Sequence, residues 1–225
     1  MIGIFDSGAG GEYTLRVLRD LAPQADVCLL ADRENAPYGT KDEATLVRLV
    51  RRNIRRLKDA GCDEILIGCC TASTVYHLLS KGEQHSVYPI IDPTARAAVS
   101  GGQRIGVIAT EATVRSRAFT SAIKKIAPRA RVSELAIQAL VSMIESGVTD
   151  ARHTEGDKEK IRALLSPMSS EGIDTLILGC THFPFVCGII SEIFRDARII
   201  SSAHEGVKEI TKHARLEGAG RTFYI

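Results

Sequence analysis

Ile65-Leu66-Ile67-Gly68-Cys69-Cys70-Thr71-Ala72-Ser73 and Leu176-Ile177-Leu178-Gly179-Cys180-Thr181-His182 share one pattern. In each, a short apolar run meets a glycine, then a cysteine, with a threonine close behind. Such a run reads as a buried strand, and the carboxyl end of a strand in a parallel α/β sheet is where ligands bind. Two thiols delivered from two similar units can face one substrate from opposite sides. That suits chemistry in which a proton leaves one face of a carbon and arrives at the other.

Along the chain, strand-like runs alternate with longer helical patterns. Met1–Phe5 leads to a helix around Tyr13–Leu21, Val27–Leu30 to one around Glu43–Ala60, and Ile65–Gly68 to one beginning near Ala72. In the second half, Arg104–Ala109 precedes a helix around Ser116–Ile126, Val132–Leu135 precedes one around Leu140–Ser146, and Thr175–Leu178 comes last. The alternation predicts an α/β fold, a mostly parallel sheet covered by helices. The halves read as copies: Ile2-Gly3-Ile4-Phe5-Asp6-Ser7 matches Ile105-Gly106-Val107-Ile108-Ala109-Thr110 at an offset of 103 positions, and the two cysteines lie 111 apart. A linker is expected near Ile91-Asp92-Pro93, where proline follows an apolar run. The domains expected are 1–92 plus about 206–225, and 93–205. Ile199-Ile200-Ser201-Ser202 and a helical stretch to about Leu216 are expected to return to the first unit, and Gly147–Gly156 reads as a surface loop.

Composition narrows the class. The chain has 225 residues, 44% hydrophobic and 25% charged, with a net charge of +2, which is ordinary for a globular protein and argues for no polyanionic partner. The basic stretch Arg48, Arg51, Arg52, Arg55, Arg56 and Lys58 interleaves with Val47, Val50, Ile54 and Leu57 at helical spacing, so it reads as a solvated helix face. The first residues carry no basic lead-in, and no apolar run approaches the roughly 18 residues of a membrane span. Six scattered cysteines (28, 62, 69, 70, 180 and 187) fit a reducing cytoplasm rather than a disulfide scaffold.

Asp6-Ser7-Gly8-Ala9-Gly10-Gly11 follows a strand and precedes a helix. Its amides either cradle an anion or form a glycine-rich turn capped by Asp6 or Ser7. Tyr13 stands where a dinucleotide fingerprint needs its third glycine. Pro37-Tyr38-Gly39 sets a tight turn that is either an ordinary loop or a means of presenting amides and a tyrosine hydroxyl to a ligand. Cys69, Cys70, Cys180 and His182 lack the paired spacing of a zinc site. Cys28, Cys62 and Cys187 fit the core. A cysteine at a helix N-terminus is expected to have a lowered pKa, as acid–base work near neutrality requires. His182 is placed to orient Cys180, and Asp6 to orient Cys69 if their strands are neighbours.

Together, Asp6-Ser7-Gly8-x-Gly10-Gly11, Pro37-Tyr38-Gly39-Thr40-Lys41, Cys69-x-Thr71-Ala72-Ser73, Ala112-Thr113-Val114-Arg115-Ser116 and Gly179-Cys180-Thr181-His182-x-Pro184 resemble the glutamate racemases of the aspartate/glutamate racemase superfamily. The resemblance runs in order from Ile2 to about Ala203. It implies two similar α/β domains with the active site in the cleft between them, no cofactor, and a two-base mechanism. By it, Cys69 takes the proton from D-glutamate and Cys180 from L-glutamate, Asp6 and His182 assist them, and Glu145 is an acid near the site. Ser7, Pro37, Tyr38, Gly39, Cys70, Thr71, Thr113 and Thr181 match substrate-contacting positions. The implied partner is a small amino acid, with neither nucleic acid nor membrane, and a homodimer is the candidate assembly. D-glutamate for peptidoglycan is the implied product. Three departures stand out: Cys70 replaces a family asparagine, Ala136-Ile137-Gln138 an Ala-Cys-Pro, and Ser201-Ser202 an Asp-Ser. They keep two alternatives open, a racemase of another amino acid such as aspartate and a non-catalytic amino-acid-binding paralogue.

Overall fold

The computed structural model describes residues 1–225. The chain runs β1 (Ile2–Asp6), α1 (Gly10–Leu21), β2 (Val27–Ala31), α2 (Glu43–Asp59), β3 (Glu64–Ile67), α3 (Cys70–Ser73), α4 (Lys81–Gln84), β4 (Val87–Pro89) and α5 (Ile91–Val99). It continues through β5 (Arg104–Ala109), α6 (Glu111–Ser116), α7 (Ala118–Ile126), β6 (Arg131–Ala136), α8 (Gln138–Glu145), α9 (Glu155–Ser169), β7 (Thr175–Gly179), α10 (Cys187–Ile193), β8 (Arg198–Ser201), α11 (Ser202–Ile210) and β9 (Thr222–Tyr224).

Two parallel sheets result, in the orders β4-β3-β1-β2-β9 and β6-β5-β7-β8. Read from opposite ends, the second repeats the first without β9, so the internal repeat extends to topology. β1 and β7 are buried along their whole length because helices cover both sheet faces. α2 buries Leu46, Leu49, Val50, Asn53, Ile54 and Leu57 at helical spacing, and the Asp42 carboxylate caps it by accepting from the Thr45 amide. One core cluster joins the sheets, running from Ile4 and Leu66 through Ala95 and Ala98 of α5 to Val107 and Ile177. No helix is long and apolar enough to cross a membrane.

Several local expectations need correction. The helix after Cys69 is one turn, Cys70–Ser73, because the Thr74 region turns at once into a further 3-10 segment, Tyr76–Leu78. The segment at Ile91-Asp92-Pro93 is helical, the first turn of α5 between β4 and β5; proline is tolerated there since those amides have no intrahelical partner. The helix expected over Ser116–Ile126 is α7, and a further short helix, α6, precedes it, the two separated at Arg117, whose φ of 56° is left-handed. α9 begins at Glu155, inside the expected loop, behind a capping box of Thr154 and Asp157. β8 pairs with β7 and so belongs to the second sheet. Only α11, ending at Ile210, packs back on α1, α5 and β3, while β9 adds to the first sheet beside β2.

Candidate active site

The carboxyl ends of β1, β3, β5 and β7 lead into Ser7, Cys69, Thr110 and Cys180, and all four line one cavity of about 430 Å³. That volume lies within the roughly 300–1,000 Å³ usual for small-ligand sites. The two thiols therefore reach the same space from two sheets. Cys69 caps α3, its sulfur 3.5 Å from the Ala72 amide and 3.5 Å from the Ser7 hydroxyl. Cys180 follows β7, its sulfur 3.7 Å from His182 Nδ1. The other ring nitrogen of His182 lies 2.5 Å from Glu145 Oε1.

Asp6 is fully buried. Its carboxylate accepts from the Gly8 amide at 3.0 Å and from the Thr181 hydroxyl at 2.9 Å. Burial pushes its pKa up, against the opposing pull of His182 and these donors. The glycine-rich turn is thus held by Asp6. Gly10 opens α1 so close to Thr181 that an added methyl would meet the hydroxyl at 2.0 Å. This approach requires glycine.

The expectation of a lowered thiol pKa is overturned. Burial pushes Cys69 up to about 11, the charge of Asp6 adds to the rise, and the Ser7 hydroxyl with the Ala72 and Thr71 amides opposes it. Cys180 is raised by burial as well, and Cys70 lies well above the ordinary thiol value for the same reason. A single-turn helix has few aligned peptide dipoles, so desolvation outweighs its field.

Pro37, Tyr38, Gly39, Cys70, Thr71 and Thr181 also line the cavity. The Tyr38 hydroxyl, however, points away from it: it donates to Asp32 at 2.5 Å and accepts from Asn53 at 3.0 Å. Asp32 further binds Arg52 at 2.9 Å, so one arginine of the α2 face is more than solvated. Thr113 is buried behind the wall, its hydroxyl 3.1 Å from Thr71 and 2.9 Å from Thr110, which are themselves 2.8 Å apart.

Thr110, Gln138, Val141, Ser142 and Arg33 also stand on the cavity wall, beyond the residues expected there. Thr110 was reachable, since the internal repeat matches it to Ser7. Gln138, Val141 and Ser142 were also reachable, because with Glu145 they complete the i, i+3, i+4, i+7 stripe of α8. Nothing local marks Arg33.

The family model for Asp/Glu/hydantoin racemases matches residues 2–210. A glutamate racemase from Gloeobacter violaceus is 35% identical over 212 residues, 93% of this chain and 79% of the relative. One from Aquifex aeolicus is 35% identical over 223 residues, 97% and 85% of the two chains. Among solved structures, glutamate racemase isoform RacE1 from Bacillus anthracis superposes with a TM-score of 0.91 at 28% identity, over 100% of this chain and 86% of that one. The enzyme from Francisella tularensis in complex with D-glutamate superposes with a TM-score of 0.87 at 27% identity, over 99% and 86%. With its two like sheets, its thiol-bearing cavity and these likenesses, the chain belongs to the Asp/Glu/hydantoin racemase family.

Proposed function

We propose that this racemase interconverts L- and D-glutamate by passing a proton between Cys69 and Cys180, supplying D-glutamate for peptidoglycan in the cytoplasm. The observation that carries the mechanism is the opening of both thiols, from sheets of like topology, onto one cavity. The likeness to glutamate racemases, one of them holding D-glutamate, supports the substrate.

From L-glutamate, the Cys180 thiolate takes the Cα proton and becomes a thiol. The Cys69 thiol then delivers its own proton to the opposite face and is left as the thiolate. The reverse reaction starts from that state. Both sulfurs rest as thiols because burial raises them, so one must lose its proton first. The substrate ammonium brings positive charge beside them, and the Ser7 hydroxyl and Ala72 amide favour charge on Cys69. His182, held by Glu145, serves Cys180 in the same way. Hydroxyl and amide donors around the carboxylate stabilise the carbanion.

Incubation of each enantiomer in D2O tests this. Loss of the Cα–H signal and appearance of the opposite enantiomer are expected with glutamate. Cys69→Ala and Cys180→Ala should each abolish interconversion, and full activity in either variant overturns the mechanism. A stronger preference for aspartate overturns the substrate.

A further inference from the structure

The donors of the cavity are unequally committed. The hydroxyls of Thr71 and Thr110 bond to each other and to Thr113, Thr181 donates to Asp6, and His182 is engaged by Glu145. Gln138 carries the one side-chain amide on the wall. Its Oε1 is buried without a hydrogen-bond partner, which is rare in folded proteins unless a ligand supplies one. The amide packs on Gly39, where an added methyl would meet Oε1 at 2.1 Å and Thr110 Cβ at 2.8 Å.

Charge divides the cavity along α8. Gln138 and Glu145 lie seven residues apart on the same face, about 10 Å along the helix axis. Glu145 sits with His182 and Gly8 at one end, Gln138 packs on Gly39 and Thr110 at the other, and Arg33 supplies the wall's one guanidinium. A zwitterionic amino acid therefore places its ammonium toward the acids and a carboxylate toward Gln138.

Resting on the racemase reading above, we propose that Gln138 binds a substrate carboxylate. A side-chain amide carries two N–H donors beside its acceptor oxygen, and the nitrogen of Gln138 donates to the carboxylate.

The test is kcat and KM for both enantiomers of glutamate, with thermal melting, in the wild type, Gln138→Ala and Gln138→Glu. Gln138→Ala should lower kcat/KM by about 10- to 100-fold, the range for a hydrogen bond to a charged group. It should leave the melting temperature unchanged or raised, because the unliganded protein loses an unpartnered buried group. Gln138→Glu should lose more, by setting like charges together. A loss in KM alone assigns the contact to the side-chain carboxylate. A loss that reaches kcat assigns it to the α-carboxylate, whose oxygens gain charge in the transition state. Wild-type kinetics in Gln138→Ala overturn the proposal and leave the racemase reading intact. Tighter substrate binding in Gln138→Glu overturns the assignment to a carboxylate. A wild-type enzyme that exchanges no glutamate overturns both readings.

Discussion

The Thr181 hydroxyl donates to the Asp6 carboxylate at 2.9 Å, joining residues 175 positions apart. This bond ties the loop that carries Cys180 to the acid at the end of β1, the strand beside the one that leads to Cys69. The two halves of the site are therefore set relative to each other by a contact that also bears on thiol ionisation, since Asp6 raises both sulfurs.

Thr181→Val keeps the shape and removes the donor. A stability loss of about 1.5–3 kcal/mol at neutral pH is expected, as for a hydrogen bond to a buried charged group. Racemisation should fall with it, because Asp6 and the Cys180 loop lose their common anchor. Denaturant midpoints and rates measured side by side check this. A variant as stable as the wild type would show that the bond contributes nothing.

With both thiols raised, only a small fraction of free enzyme holds a thiolate near neutrality. kcat/KM should therefore rise with pH, about tenfold per unit between roughly pH 7 and 9, since Cys69 ionises only near 11. Enantiomers have equal free energy in water, so the profile must be the same in both directions. A flat profile would mean that the thiol proton passes to a neighbour within the site instead of to solvent.

Asp32 holds the Pro37-Tyr38-Gly39 turn through Tyr38, Asn53 and Arg52. Burial alone would raise its pKa, but bonds from Tyr38, Asn53 and Asn35 and the charge of Arg52 outweigh burial and hold it below the usual aspartate range. Its stabilisation is therefore present above the ordinary value of 3.8 and lost as pH falls through the lowered folded pKa. Asp32→Ala should cost roughly 3 kcal/mol near neutrality, leaving the Tyr38 and Asn53 donors unpaired. The deficit should narrow in acid, as pH falls through that lowered folded pKa and the wild-type carboxylate is protonated too. Urea titrations at the two pH values compare them, and an equal deficit at both would rule out the charged carboxylate as the source.

Much of the architecture was legible because it is local. Ile65–Ile67 and Leu176–Leu178 are apolar in continuous runs, and both form strands ending at their cysteines. Arg117 and the start of α9 were not legible. A left-handed residue that is not glycine carries no compositional mark, and the capping box of Thr154 and Asp157 lies in a stretch too polar to suggest a helix. In the site, Thr110 and Gln138 could be read only by carrying the repeat and the helical period one step further. The direction of the Tyr38 hydroxyl could not be read at all, since Asp32 and Asn53 reach it from other elements.

Periodicity and strand-end residues are properties of neighbouring positions, so two like α/β units, each ending a strand in a cysteine, are written in the chain before it folds. How those cysteines ionise, and what surrounds them, depends on segments far apart in the chain. Desolvation and charge act through space, so the field that raises Cys69, the donor Thr181 lends to Asp6 and the unpartnered amide of Gln138 arise only when distant segments share one cavity.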